Sequence, residues 1–195
     1  MRAWLGALLI AVPVLAGCSD DPPAAAPNVP GFSTPAGPST SRQDRAVPKT
    51  CGGVASLTEV TDLLGTAVTG QTLPIVGVPE PKIGRTARID CYYGVPDGQP
   101  VSAAAVWIAL ASYTDRPAAQ RRMTSTVETE REAGAKAVDV SVGPDRGVLL
   151  TGTTRTLVAT RGANTVVVTV APTLIAEDQA PSLLARLADR ALTPR

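Results

Sequence analysis

Residues 155–171 read RTLVATRGANTVVVTVA, and this stretch carries the clearest signal for the fold. β-Branched residues alternate through the first half and dominate the second, which is the composition of strands that pack on a sheet. Gly162-Ala163-Asn164 stands between the halves and supplies turn residues that tolerate a positive φ. The stretch therefore predicts a hairpin of strands 155–161 and 165–171, and with it an antiparallel sheet.

Further strand-like segments lie upstream of this hairpin, at residues 72–78, 87–94, 101–113, 138–142 and 147–152. In the segment 101–113, Val106, Ile108 and Leu110 alternate with Trp107 and several alanines, so both faces of the strand are apolar. This pattern predicts a central strand that is covered on two sides.

Three segments carry helical signals. Ser56 and Glu59 form a capping box at the start of the first, and Gly65 ends it. Asp115 caps the second helix, which runs to about residue 133, and the third lies near residues 181–192. Runs of strands punctuated by helices predict an α+β fold, in which a mainly antiparallel sheet is packed by two or three helices.

The amino terminus has the pattern of a bacterial lipoprotein signal. Arg2 precedes an apolar run, residues 3–15, which is shorter than the ~20 residues that span a bilayer. The run leads to Leu15-Ala16-Gly17-Cys18, which matches the lipobox at each position. We expect residues 1–17 to be removed and Cys18 to be lipidated, so that the protein is held on the extracytoplasmic face of the cell membrane. An ordinary secretory signal and a transmembrane anchor are the alternatives.

Residues 18–49 are predicted to form a disordered tether that begins at the lipidated cysteine. They are rich in proline and small polar residues and show neither helical nor strand periodicity. Such a segment cannot bury enough apolar surface to order itself. The folded envelope domain is then predicted to span residues 50–195, and a chain that starts near Pro48 is expected to melt like the longer one.

The chain has three cysteines, and lipidation of Cys18 leaves Cys51 and Cys91 in an oxidising compartment. We expect these two to form a disulfide, which would stabilise the fold by roughly 4 kcal/mol on the chain-entropy model. A pair of free or metal-binding thiols is the alternative, although no third or fourth soft ligand accompanies them.

The composition excludes several functions. The chain has no histidine, which removes Ser-His-Asp and Cys-His catalytic systems and most catalytic zinc sites. The net charge of +1 gives no field that would gather nucleic acid. No phosphate-binding loop, nucleophile elbow or metal-ligand cluster is present in the sequence. We therefore predict no catalytic residue, no metal, no cofactor and no nucleic-acid partner.

Trp107 and Ala105 mark a candidate pocket, because a large ring among small residues can outline an apolar cavity. Ala103 lies in the same alternating pattern. The pattern is equally suited to a helix that packs closely on the sheet, with the Trp107 ring filling the gap.

Charged residues give weaker signals. Glu128, Glu130 and Glu132 alternate with arginines along the second helix, which favours a solvated helix face over an acid–base pair. Arg85 and Arg88 precede Cys91 and favour an exposed strand edge that carries charge over an anion-binding site.

Cys51, the helix start at residues 56–65, the aromatic-flanked Cys91, the lipobox and the proline-rich tether occur together in this chain. The combination resembles the actinobacterial lipoproteins of domain-of-unknown-function family 3558, over residues 51 to about 192. Members tend to carry tryptophan where this chain has Tyr93. The resemblance implies the location and the disulfide, but no activity and no site residue. Small mycobacterial lipoproteins with a PsbP-like sandwich are the alternative relatives.

These features predict a binding or interaction module at the cell envelope, which contacts an envelope protein, a lipid or a wall component. The alternative is a carrier of lipid or another small molecule, with a cavity between helix and sheet. A hydrolase that uses carboxylates alone would need two acids converging in one cleft, and the sequence places no such pair.

Overall fold

The computed structural model describes residues 44–194. The predicted signal peptide, Cys18 and residues 19–43 of the predicted tether lie outside the described residues. Within 44–194, the strands form one sheet in the order β1-β2-β3-β7-β6-β5-β4, and every neighbouring pair is antiparallel. This sheet and its helices confirm the predicted α+β class. The strands are β1 (Gln71–Gly77), β2 (Arg85–Val95), β3 (Val106–Tyr113), β4 (Lys136–Val142), β5 (Asp145–Thr151), β6 (Arg155–Arg161) and β7 (Asn164–Val170).

β6 and β7 form the hairpin that residues 155–171 predict. Arg161 pairs with Asn164, so the turn is Gly162-Ala163. Gly162 takes a φ of 57°, which glycine adopts without steric cost. β7 also pairs with β3 on its other side. That long-range pairing joins the β1-β2-β3 meander to the β4-β5-β6-β7 meander in one continuous sheet.

β3 begins later than the sequence predicts. Val101–Ala103 form a 3₁₀ turn after Pro100, and the strand starts at Val106. The N–H of Ala103 donates to the oxygen of Pro100 at 2.9 Å, so this backbone is satisfied within the turn and does not join the sheet. The strand itself is central, as predicted, because β2 and β7 flank it.

Within residues 44–194, four helices pack on the sheet, of which the single-turn helix α1 (Cys51–Val54) is additional to those that the sequence predicts. α2 starts at the predicted capping box: the Ser56 hydroxyl accepts from the N–H of Glu59 at 3.2 Å, and the Glu59 carboxylate accepts from the N–H of Ser56 at 2.7 Å. The bond from the Ser56 backbone, assisted by Arg190, lowers the pKa of Glu59 to about 2. The helices are α1 (Cys51–Val54), α2 (Leu57–Leu64), α3 (Arg116–Glu132) and α4 (Ala180–Leu192).

The main core lies between the sheet and α1, α2 and α4. Tyr93 is fully buried there and donates to the main-chain oxygen of Ala55 at 2.8 Å. Cys51 and Cys91 are joined by a disulfide that ties α1 to β2. α3 lies on the opposite face of the sheet, over two small clusters of apolar residues.

The ordered contacts of this domain begin before residue 50, inside the predicted tether. Asp44 accepts a hydrogen bond from the N–H of Ala163 at 2.8 Å, and Arg45 is only 6% exposed. The Arg45 guanidinium donates to the main-chain oxygens of Gly53 and Ala191, the latter at the carboxyl end of α4. Apolar periodicity does not reveal such a residue, because hydrogen bonds to the backbone hold it. The folded part therefore reaches at least to Asp44, and we expect a chain that starts at Pro48 to be less stable.

Candidate functional site

A groove runs between α3 and the sheet face that the other helices leave uncovered. α3 is capped by Asp115, and it contacts the sheet through Ala118, Ala119, Met123 and Val127. Two alanines and two larger side chains do not fill the space beside the line of contact. The resulting groove has a volume of about 430 Å³, which lies within the ~300–1,000 Å³ range of small-molecule sites.

The floor of the groove consists mainly of alanine and threonine side chains from β3, β7 and β6. Strand residues alternate between faces, so Val166 and Val168 of β7 fill the main core while Thr165 and Thr169 face the groove. The hydroxyl of Thr156 lies 3.0 Å from that of Thr169. The Thr165 hydroxyl makes no hydrogen bond to any residue in 44–194. The floor therefore offers hydroxyl groups between short apolar side chains.

A cluster of two charged and two aromatic side chains flanks one end of the groove and consists of Arg88, Asp90, Tyr92 and Trp107. Asp90 is 6% exposed; its carboxylate accepts from the Trp107 indole N–H at 3.0 Å and from two Arg88 nitrogens at 2.7 Å each. The Tyr92 and Trp107 rings are nearly parallel, with centroids 6.1 Å apart. The hydrogen bond with Asp90 raises the pKa of Arg88, and burial beside the charge of Asp90 raises the pKa of Tyr92. Asp90 thus fixes the orientation of Trp107 and Arg88 together.

α3 forms the other wall and brings two charges to the groove, Arg122 and Glu130. Neither forms an ion pair with another residue of the described range. Thr126 and Thr129 lie between them and donate their hydroxyl protons to helix carbonyls at 3.0 and 2.9 Å, which leaves the hydroxyl oxygens as acceptors. The wall therefore carries one cation, one anion and two acceptor oxygens.

The structure separates the residues of the predicted pocket. Trp107 lines the groove. Ala105 lies just before β3, half-buried against the main core on the other face of the sheet. Ala103 is exposed in the 3₁₀ turn. The strict alternation that would place all three on one face fails because β3 starts only at Val106.

The prediction that Arg85 and Arg88 decorate an exposed strand edge is wrong, because β2 lies between β1 and β3. Arg85 pairs with Glu80 at 2.9 Å, and Arg88 pairs with Asp90. Asp90 is the site residue that the sequence argument missed. Its signal was present, since residues two apart in a strand share a face and opposite charges at that spacing form a pair.

Carboxylates at the groove have different surroundings. Glu130 lines the groove, whereas Glu128 and Glu132 are exposed. Both oxygens of Asp90 are occupied by Arg88 and Trp107. Within residues 44–194, no three His, Cys, Asp or Glu side chains lie close enough together to hold a metal ion. The groove therefore offers a ligand hydrogen-bonding groups, apolar surface and the two charges of Arg122 and Glu130.

No protein-family model matches this chain, and no curated protein matches it. Among solved structures, it is similar to the extracellular domain of PknH from Mycobacterium tuberculosis, with a TM-score of 0.50 and 12% sequence identity. The chain shares the fold of an extracellular domain. The match covers 76% of this chain and 97% of that one; at this identity it establishes the fold alone. Within the described range, no helix is long and apolar enough to cross a membrane.

Proposed function

We propose that this protein is a binding module at the outer face of the cell membrane, and that the groove beneath α3 is its ligand site. The observation that carries the proposal is the groove of about 430 Å³, with its hydroxyl-rich floor and oriented tryptophan. Small-molecule sites combine apolar surface with polar groups that fix the orientation of the ligand, and this groove has both, with more polar groups than is usual.

The lipobox at Cys18, the Cys51–Cys91 disulfide and the fold shared with an extracellular domain all support a place outside the cytoplasm. We propose that lipid on Cys18 anchors the protein to the cell membrane. From the lipobox, the proline-rich tether and the spacing of Cys51, the helix start at residues 56–65 and Cys91, we propose membership of domain-of-unknown-function family 3558 or, alternatively, of the small PsbP-like lipoproteins. The proposed partners are the membrane, through that lipid, and an envelope protein, lipid or wall component.

A carrier that encloses lipid is the second candidate function, and the shape of the groove weighs against it. Arg122, Thr129 and Thr154 line the groove and are themselves exposed, so the site is open to solvent along its length. An acyl chain held there would keep much of its surface in water. An open groove suits reversible contact better than transport.

We also propose that the module has no catalytic activity of its own. Asp90 has both oxygens engaged by hydrogen-bond donors, and Glu130 is the other carboxylate that the groove presents among the described residues, so two acids do not converge on one ligand position. A hydrolytic turnover that is lost in Glu130→Gln would contradict this part of the proposal.

The mature chain, residues 18–195, contains its own reporter. The protein has two tryptophans, and Trp4 lies in the predicted signal peptide, so that fluorescence of the mature chain comes from Trp107 in the groove. We expect a lipid, glycan or protein fraction of the host envelope to change this fluorescence saturably.

Thr126→Phe and Thr124→Phe form a matched pair of variants for this experiment. Both place the same ring on α3, but Thr126 faces the groove and Thr124 lies on the opposite flank of the helix. Thr126→Phe should abolish the saturable change, and Thr124→Phe should preserve it. Binding that survives Thr126→Phe unchanged, or no binding of any envelope fraction, would contradict the proposed function.

A further inference from the structure

We propose that the ligand is a neutral oligosaccharide, and that the site continues from the groove across the uncovered part of the sheet onto β1. The inference rests on the proposed function of the groove and adds the chemical class of its ligand. It depends on three features. These are a row of side chains that crosses the sheet, the balance of charge along this row, and the change along it from aromatic rings to hydroxyl groups.

The row follows from the strand register. Leu73 lies opposite Tyr92, Tyr92 opposite Trp107, Trp107 opposite Thr169, and Thr169 opposite Thr156. Residues directly opposite in antiparallel strands point to the same face. These five side chains therefore form one line across five strands, about 19 Å long at ~4.8 Å per strand spacing.

α3 covers only part of this line. The helix packs over β3, β4, β5, β6 and β7, which leaves the β1–β2 part of the face open. Ile75 lies opposite Asp90 in the next row of the same face and is 45% exposed. The groove thus opens onto an apolar and aromatic platform formed by Leu73, Ile75 and Tyr92.

Charge along the line is balanced. Arg88 and Asp90 neutralise each other, and Arg122 and Glu130 bring opposite charges to the same wall. An anion would be attracted by Arg122 and repelled by Glu130, and the reverse holds for a cation. Electrostatics therefore favours a ligand without net charge.

The functional groups select among neutral ligands. An acyl chain would desolvate the hydroxyls of Thr126, Thr129 and Thr165 without offering them hydrogen bonds, which is unfavourable. A peptide would bring main-chain amides, whose usual partners are unpaired strand groups. In this sheet those groups lie along the outer edges of β1 and β4, whereas the row of side chains crosses the sheet face over β2, β3, β7 and β6, which are paired on both sides. A sugar ring has an apolar face that packs on aromatic rings and hydroxyls that both donate to and accept from threonine.

The test is a titration of the mature chain with chitotetraose and maltotetraose, with their disaccharides and with oleate, followed by Trp107 fluorescence. We expect at least one tetrasaccharide to bind saturably, its disaccharide to bind more weakly, and Thr126→Phe to abolish both. Oleate should not compete.

Ile75→Ser and Val76→Ser test the extension onto β1. They are neighbours on one exposed strand, but Ile75 shares the face of Asp90 and Val76 that of Ile89, which lies in the main core. Ile75→Ser should weaken tetrasaccharide binding about threefold or more and leave the disaccharide unchanged, whereas Val76→Ser should change neither.

The outcomes separate this inference from the proposed function. Oleate binding that Thr126→Phe blocks, without sugar binding, would overturn the sugar class and leave the groove as a ligand site. Equal effects of Ile75→Ser and Val76→Ser would overturn the extension onto β1. Failure of these probes and of all envelope fractions would overturn both proposals.

Discussion

Replacement of Arg45 by methionine should destabilise the folded domain, although this residue lies in a segment that reads as a flexible tether. Its guanidinium is buried and donates to the oxygens of Gly53 and Ala191. Hydrogen bonds from a charged donor contribute about 1.5–3 kcal/mol each, and a cation at a helix carboxyl end adds about 0.3–1 kcal/mol. Methionine keeps part of the stem packing, and water reaches some of the freed oxygens. We expect a loss of about 3 kcal/mol.

For a domain of this size, 1 kcal/mol shifts Tm by roughly 2–4 °C, so Arg45→Met should lower it by about 6–12 °C. Lys49→Met is the matched control, because Lys49 is exposed in the same segment and its loss should stay within about 0.5 kcal/mol. Urea unfolding of both variants measures the difference. Equal stability of Arg45→Met and the parent would refute the assignment of Arg45 to the folded part.

Three further predictions concern the anchor, the disulfide and acid stability. Cys18→Ala should move the protein from the membrane fraction to the soluble or unprocessed one, and an unchanged lipid label would contradict anchoring at this residue. Non-reducing digestion should yield one peptide that links Cys51 to Cys91, and reduction should destabilise the domain by about 4 kcal/mol for a sequence separation of 40; complete alkylation of native protein would argue against it. The folded-state pKa of Glu59, about 2, lies below its ordinary 4.5, so its contribution is present above pH 4.5 and is lost as pH falls towards 2. The stability difference between the parent and Glu59→Gln should therefore shrink across that window, and a constant difference would contradict it.

Local signals in the sequence predict much of the fold. The β6–β7 hairpin follows from β-branched strands around Gly162, and α2 follows from Ser56, Glu59 and Gly65. Each depends on residues within a few positions of one another. The pairing of β3 with β7 spans more than fifty residues of chain, and no local pattern specifies it. Local patterns in the sequence therefore predict an antiparallel sheet but not the order of its strands.

The candidate site was predictable only in part. Trp107 among alanines indicates a cavity, and this residue does line the groove. Ala105 and Ala103 do not share the face of Trp107, because a turn starts after Pro100 where apolar alternation predicts a strand. Asp90 is not identified from the sequence, because a single carboxylate in a strand is compatible with several roles. Its role becomes clear only when the structure places Trp107 and Arg88 beside it.

Arg45 shows a second limit of composition-based reasoning. The absence of apolar periodicity correctly indicates that residues 44–49 form no helix or strand. It does not exclude an irregular segment that is held by hydrogen bonds to the backbone of helices and turns. A charged side chain that satisfies carbonyl groups stabilises the domain without an apolar signature.

The most direct test of the central claim, that the groove beneath α3 is the ligand site, is an NMR titration of the ¹⁵N-labelled mature chain. Trp107 should give a single indole N–H signal, since Trp4 lies in the predicted signal peptide. With chitotetraose, or with the envelope fraction that changes Trp107 fluorescence, we predict shifts of this signal and of the Ala109, Thr165 and Thr169 amides. Thr126→Phe should suppress these shifts. Shifts confined to α2 and α4, with the Trp107 signal unmoved, would contradict this claim.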